Sequence, residues 1–225
     1  NTATITVNGG TLNLGNSSNV WSNSGTISAT NSVVNLDGSF TLAALGTLSR
    51  AGGTVNVTGT LNNTGTTLAL NATTGSWNLN GGIIQGGTVI AGADGASLLL
   101  ATSGSGTLSG VTLNTDVTVS NGATLSIANG LTLNSVLTVN NSGSTTTLDF
   151  APGTQTLGGT GQVVLTGSST ASRIRLGSGG ATTLTVAAGI TIHGKGQISQ
   201  SNTSTLINQG TIAADVAGQT LTVNV

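Results

Sequence analysis

The chain has 225 residues, of which 36 are glycine and only 4% are charged, against about 25% charged in an ordinary globular domain, and its formal net charge is -1. Four Lys plus Arg residues leave no electrostatic footprint for nucleic acid or an anionic membrane surface, and the lack of cysteine excludes disulfides and thiol chemistry. With 36% hydrophobic residues the chain is too apolar and too weakly charged for disorder, and no apolar run approaches the ~18 residues of a membrane-spanning helix.

From the N-terminus onward, apolar residues recur at i and i+2, the strand period. The triplets Leu12-Asn13-Leu14, Val34-Asn35-Leu36, Val55-Asn56-Val57, Trp77-Asn78-Leu79 and Leu98-Leu99-Leu100 start 22, 21, 22 and 21 residues apart. The series continues at Val117, Leu137, Val163, Ile190 and Ile212. A second series runs through Ile5, Ile27, Leu48, Leu68, Val89, Val111, Leu131, Gln155, Leu184 and Leu206. A looser third series runs through Val20, Phe40, Leu61, Ile83, Leu108, Leu125, Leu148, Ile174, Ile198 and Leu221. Clusters of Gly, Asn, Ser and Thr separate the strands, as tight corners require.

Short strands that return in one direction every 20 to 28 residues must pair in parallel, coil upon coil. The expected fold is therefore all-β: a three-sided parallel β-helix (a β-solenoid) of about ten coils, right-handed by the crossover rule. Residues 1–225 read as a single such domain, and the alternating stretch that ends the chain reads as a segment of a longer protein. "GVTLNTDVTV" at 110–119 and "GLTLNSVLTV" at 130–139 place the same corner on successive coils.

In such a fold, chemistry must be sought in columns. Asn13, Asn35, Asn56 and Asn78 form one, whose side-chain amides would hydrogen-bond along the rod as in stacked Asn ladders. Trp77 takes an inward position, and with only Trp21 besides and no tyrosine there is no aromatic platform for sugars. Asp94 and Asp116 lie about one coil apart but at unmatched positions, which gives a carboxylate pair little support. "GSGTLSG" opens no helix and so cradles no phosphate. Outward Thr112 stacks on Thr132 and Thr118 on Thr138; an ice-binding face would need two such ranks over many coils, so these columns read as stabilising surface ladders.

Arg173 and Arg175 flank Ile174 and point outward, with Asp149 in register with Arg175. The pair reads as a surface salt bridge, or alternatively as a contact for an anionic sugar. "GGTGQV" begins like a calcium-binding nonapeptide but is not repeated, and no metal or cofactor is expected. The only histidine, His193, has Asp215 at the matching place one coil later and Thr166 at the same corner one coil earlier. A hydroxyl, an imidazole and a carboxylate in a row resemble a nucleophile, base and orienter, but no oxyanion hole accompanies them. The plainer reading is a corner that carries three polar residues.

The phrases "NSGTIS", "LGTLS", "NQGTI" and "GVTLNTDVTVSNGATLSIANGLTLNS" resemble the repetitive passenger regions of large bacterial surface proteins, the autotransporter and filamentous-haemagglutinin-like adhesins. The resemblance covers nearly the whole chain. It implies export, an extracellular or cell-surface location, a β-helical stalk, and a non-catalytic part in adhesion, matrix or end-to-end fibre assembly. Its partners would be flanking repeats, other copies of the chain, or surface polysaccharide. The rival readings are a polysaccharide lyase or hydrolase, which needs clustered acids, and an ice- or carbohydrate-surface binder.

Overall fold

A computed structural model describes residues 1–17, 19–92, 99–101, 104–167 and 171–225. Nearly all regular structure is parallel strand, wound as a three-walled solenoid. In chain order the first coil runs through Thr4–Asn8 on the first wall, Thr11–Leu14 on the second, and a single bridge from Val20 to Ser39 on the third. The second wall is one unbroken sheet of ten strands, from Thr11–Leu14 to Thr211–Ala213, each paired in parallel with the strand one coil away. Ten rungs at about 4.8 Å give a rod about 45 Å long.

Alternation in sequence becomes alternation in burial. Val34, Val55, Trp77, Leu99, Val117, Leu137, Val163 and Ile192 form one inward column on the second wall, none more than 1% exposed. Each β-branched or long apolar side chain packs on its like one rung above and below, so every coil depends on its neighbours for dryness. The terminal rungs lack one neighbour, and Leu12 and Ile212 in the same column are only partly buried.

Several rungs correct the sequence spacing. At the fifth rung the spacing points to Leu98, whereas the register sets Leu99 opposite Trp77 and Val117; Leu98 itself lies outside the described residues. Ile192, not Ile190, pairs with Val163, because the corner before it is longer. Ile84, not Ile83, pairs with Leu61 and Leu108, and Ile83 is an exposed neighbour. On the first wall Leu131 pairs with Leu157 rather than Gln155. Val223, not Leu221, pairs with Ile198, and Val20 is 84% exposed.

Two corners are absorbed into long strands. Gly106–Asn114 and Thr124–Leu133 each run from the third wall into the first without a break, which joins those walls into one bent sheet. Gly110 (φ +62) and Gly130 (φ +78) make these bends, where a left-handed backbone favours glycine, and Asn129 (φ +55) adds the extra residue that shifts the register. One corner is a single helical turn, Leu42–Leu45, where every other element among the described residues is a strand. Its sequence of leucine and alanine favours helix, Thr41 accepts from the Ala44 N–H at 3.1 Å, and Gly46 ends it.

Candidate functional site

The asparagine column on the outer second wall is a continuous hydrogen-bonded file. Asn35 Nδ2 donates to Asn13 Oδ1 at 2.7 Å, Asn56 Nδ2 to Asn35 Oδ1 at 2.7 Å, and Asn78 Nδ2 to Asn56 Oδ1 at 2.9 Å. The strands set this geometry: Asn13, Asn35, Asn56 and Asn78 are Cα partners on consecutive rungs. The strand spacing of about 4.8 Å is what a side-chain amide needs to donate to the next and accept from the last. At the next rungs the same column carries Leu100, Thr118 and Thr138, and the amide file stops.

Thr112 and Thr132 pair on the first wall, where Thr67 and Thr88 extend the file; Thr118 and Thr138 pair on the second. Beside Thr67 to Thr132 the parallel column holds Ala69, Ile90 and Asn114, so the threonines form one rank without a second. Farther along this wall Thr154 and Thr156 stand in register with Thr183 and Thr185, two ranks that last two coils before Thr205 and Ile207 follow.

His193 sits at the centre of a three-coil constellation. Its Nδ1 meets Asp215 Oδ2 at 2.9 Å, and its Nε2 meets Gln162 Oε1 at 2.9 Å. Asp215 Oδ1 also accepts from the Gly194 N–H at 3.0 Å. In register His193 stands opposite Val164 and Ala213; Gln162 reaches it from two residues before, and Asp215 from two residues beyond. Thr166 has no hydrogen bond to His193 among the described residues, although it lines a small groove with His193 and Asp215. It pairs with Asn140, two residues past the His193 column, and its hydroxyl donates to the Val139 carbonyl at 3.1 Å. Gln162, which the sequence raises only as part of the calcium-like GGTGQV motif, takes the place beside the imidazole. An amide is no nucleophile, and the imidazole is held between the Gln162 amide and the Asp215 carboxylate.

Desolvation pushes the half-exposed Asp215 carboxyl upward. Hydrogen bonding and charge from His193, with the Gly194 amide, outweigh it and hold the group below its ordinary value of 3.8. An open groove of about 620 Å³ runs along the rod here, lined by Asn134, Thr160, Gln162, Thr191, His193 and Asp215.

On the third wall Asp149 pairs with Arg175, and Arg175 Nε lies 2.8 Å from Asp149 Oδ1. The Asp149 side chain is 8% exposed and that of Arg175 23%, which makes the pair more enclosed than an ordinary surface bridge. Arg173, on the same outward face, donates from Nε to Thr147 Oγ1 at 3.0 Å. Its guanidinium is held below the usual arginine value by burial first and by the charge of Arg175 second, with Asp149 opposing.

Among the other residues that the sequence raises, Asp116 Oδ1 accepts from the Val136 N–H at 3.0 Å, while Asp94 lies outside the described residues. Trp77 is buried, and its indole N–H finds no acceptor among the described residues. Trp21 instead stacks on Phe40 with ring centroids 4.9 Å apart and donates to the Asp37 carbonyl at 2.6 Å. Among the described residues no group of three or more His, Asp, Glu or Cys side chains is placed to hold a metal ion, and no helix is long and apolar enough to cross a membrane.

The fold defines a class, the parallel β-solenoids. No protein-family model, curated protein or solved structure matches the chain.

Proposed function

We propose that this chain is a structural, non-catalytic stalk or filament segment of an exported bacterial surface protein, one that acts in adhesion or the extracellular matrix. The observation that carries the reading is the ten-strand second wall, a continuous parallel ladder along the whole rod. Load along or across such a rod is shared by many backbone hydrogen bonds and by an apolar core common to all coils. Its outward columns are short files of Asn and Thr, which bind one rung to the next. The repeated Gly-Thr-apolar phrases, similar to those of surface adhesins, supply the proposed location outside the cell.

The partners in this reading are further coils of the same chain or other copies of it. The end strands Thr11–Leu14 and Thr211–Ala213 each pair on one side only, and an unpaired parallel edge accepts another strand in the same register. The test is immunogold labelling of the source cells with antibodies raised against this chain, together with an assay for depolymerisation of acidic polysaccharides. Label outside the envelope without release of oligosaccharides is the expected result. Label confined to the cytoplasm overturns the surface assignment, and release of oligosaccharides overturns the non-catalytic one.

A further inference from the structure

Charge is scarce in this molecule, and its cations are not spread evenly. Of four Lys and Arg residues, Arg173, Arg175 and Lys195 fall within 23 positions, and only Arg50 lies elsewhere. Arg173 and Arg175 share one outward strand face on Ser172–Leu176, two residues and therefore about 7 Å apart.

Their neutralisation is incomplete. Among the described residues Asp149 is the only acid bonded to either, and it meets Arg175 through a single Nε contact rather than a two-point fork. Arg173 spends its Nε on the Thr147 hydroxyl, and its two terminal nitrogens have no partner among the described residues. A guanidinium held at its root by Thr147, crowded by a second guanidinium and lacking its own carboxylate, is a preorganised receptor for one. The surroundings set the rest of the chemistry. In register around the pair stand Thr124, Ser126, Gln197 and Ser199, a flat face of hydroxyl and amide groups with no aromatic ring. Three cations on a chain of net charge -1 do not make the field that a polyphosphate needs. A ligand with sparse charge and many hydroxyls fits the face better.

We propose that Arg173 and Arg175 form a binding site for the carboxylates of an acidic polysaccharide, with Arg173 as its anchor and the flanking hydroxyl column as the surface on which the sugar rings lie. The proposal goes beyond the stalk reading and stands or falls apart from it.

The test is calorimetric titration of the chain with a tetragalacturonate and with its methyl ester. The acid is expected to bind and the ester to bind at least tenfold more weakly, since a charge-assisted hydrogen bond is lost. Arg173→Gln is expected to weaken binding of the acid by about tenfold or more, and Arg50→Gln, which removes the same charge from another wall, to leave it within about twofold. Arg173→Lys keeps the charge and the aliphatic stem, so it tests the fork alone; an intermediate loss is expected. Rising salt should weaken the acid's binding. Equal binding of acid and ester overturns the proposal, as does no binding of either. So does an equal effect of Arg173→Gln and Arg50→Gln, or, should Arg173→Gln fail to fold, an affinity for Arg173→Lys equal to the unaltered chain's.

Discussion

Replacing Asn56 by alanine removes the middle of the amide file. Two hydrogen bonds go with it: the one Asn56 donates to Asn35 at 2.7 Å and the one it accepts from Asn78 at 2.9 Å. A neutral side-chain hydrogen bond contributes about 0.5–1.5 kcal/mol net, and the partners left behind are open enough for water to reach them, so the loss should be about 1–2 kcal/mol. Asn13, at the exposed end of the file, only accepts, from Asn35, and Asn13→Ala should cost about 0.5 kcal/mol. For a chain of this size each kcal/mol moves Tm by about 2–4 °C, so Asn56→Ala should melt about 2–8 °C lower. Because solenoids do not always unfold in one step, amide exchange across the strands Val33–Leu36, Thr54–Val57 and Trp77–Leu79 is the better local measure. In a background already carrying Asn35→Ala and Asn78→Ala, the same substitution should cost almost nothing more. If Asn56→Ala costs no more than Asn13→Ala, or costs as much in that background, the amides do not act as a coupled file.

The remaining predictions are independent of that file. Asp215 is held below its ordinary value of 3.8, so the folded state favours its ionised form, and its contribution is present above that value and lost as pH falls through the lower folded value. The difference in thermal stability between the native chain and Asp215→Asn should therefore be largest near neutral pH and shrink below about pH 4; a difference that grows with acidity contradicts it. At Gly59 a Cβ would lie 2.2 Å from the Gly38 carbonyl oxygen one coil away, whereas at Gly10 its nearest neighbour would be a Val7 methyl at 3.7 Å. Gly59→Ala should cost about 1–3 kcal/mol in urea titrations and Gly10→Ala less than about 0.5 kcal/mol, and equal costs would show that the corner has slack. Trp21→Phe forfeits the bond to the Asp37 carbonyl and should lower stability by about 1 kcal/mol, while Trp77→Phe removes a donor that has no partner among the described residues, which offsets part of the lost volume.

The winding and most inward columns are legible in the sequence because alternation and coil length are both nearly regular through Leu12, Val34, Val55 and Trp77. Legibility fails where one of those two signals is lost. At Leu98-Leu99-Leu100 and Ile83-Ile84 adjacent apolar residues carry no alternation, and only coil-to-coil pairing decides which one turns inward. Before Ile192 a longer corner breaks the count by two residues. The same two residues hide Gln162, because aligning Val163 with Ile190 rather than Ile192 places Gln162 away from His193. The helical turn at Leu42–Leu45 has a local signature in its Leu-Ala run between Thr41 and Gly46 that strand periodicity overlooks. At the charged pair the register of Asp149 with Arg175 follows from the strand pattern, but the bond from Arg173 to Thr147 does not, since long side chains settle their partners only in three dimensions.

The most direct test of the stacked winding is a molecular ruler along one column. The chain lacks cysteine, so spin labels can be placed at Asn13 and, in separate proteins, at Thr118, Thr138 or Val164, which lie five, six and seven rungs away in the same register. Electron–electron distances should step from about 24 to 29 to 34 Å, one strand spacing per coil, although the sequence separations rise unevenly. Distances that fail to climb in equal steps, or that follow separation along the chain instead of rung number, would contradict the stacked coils on which the whole account rests.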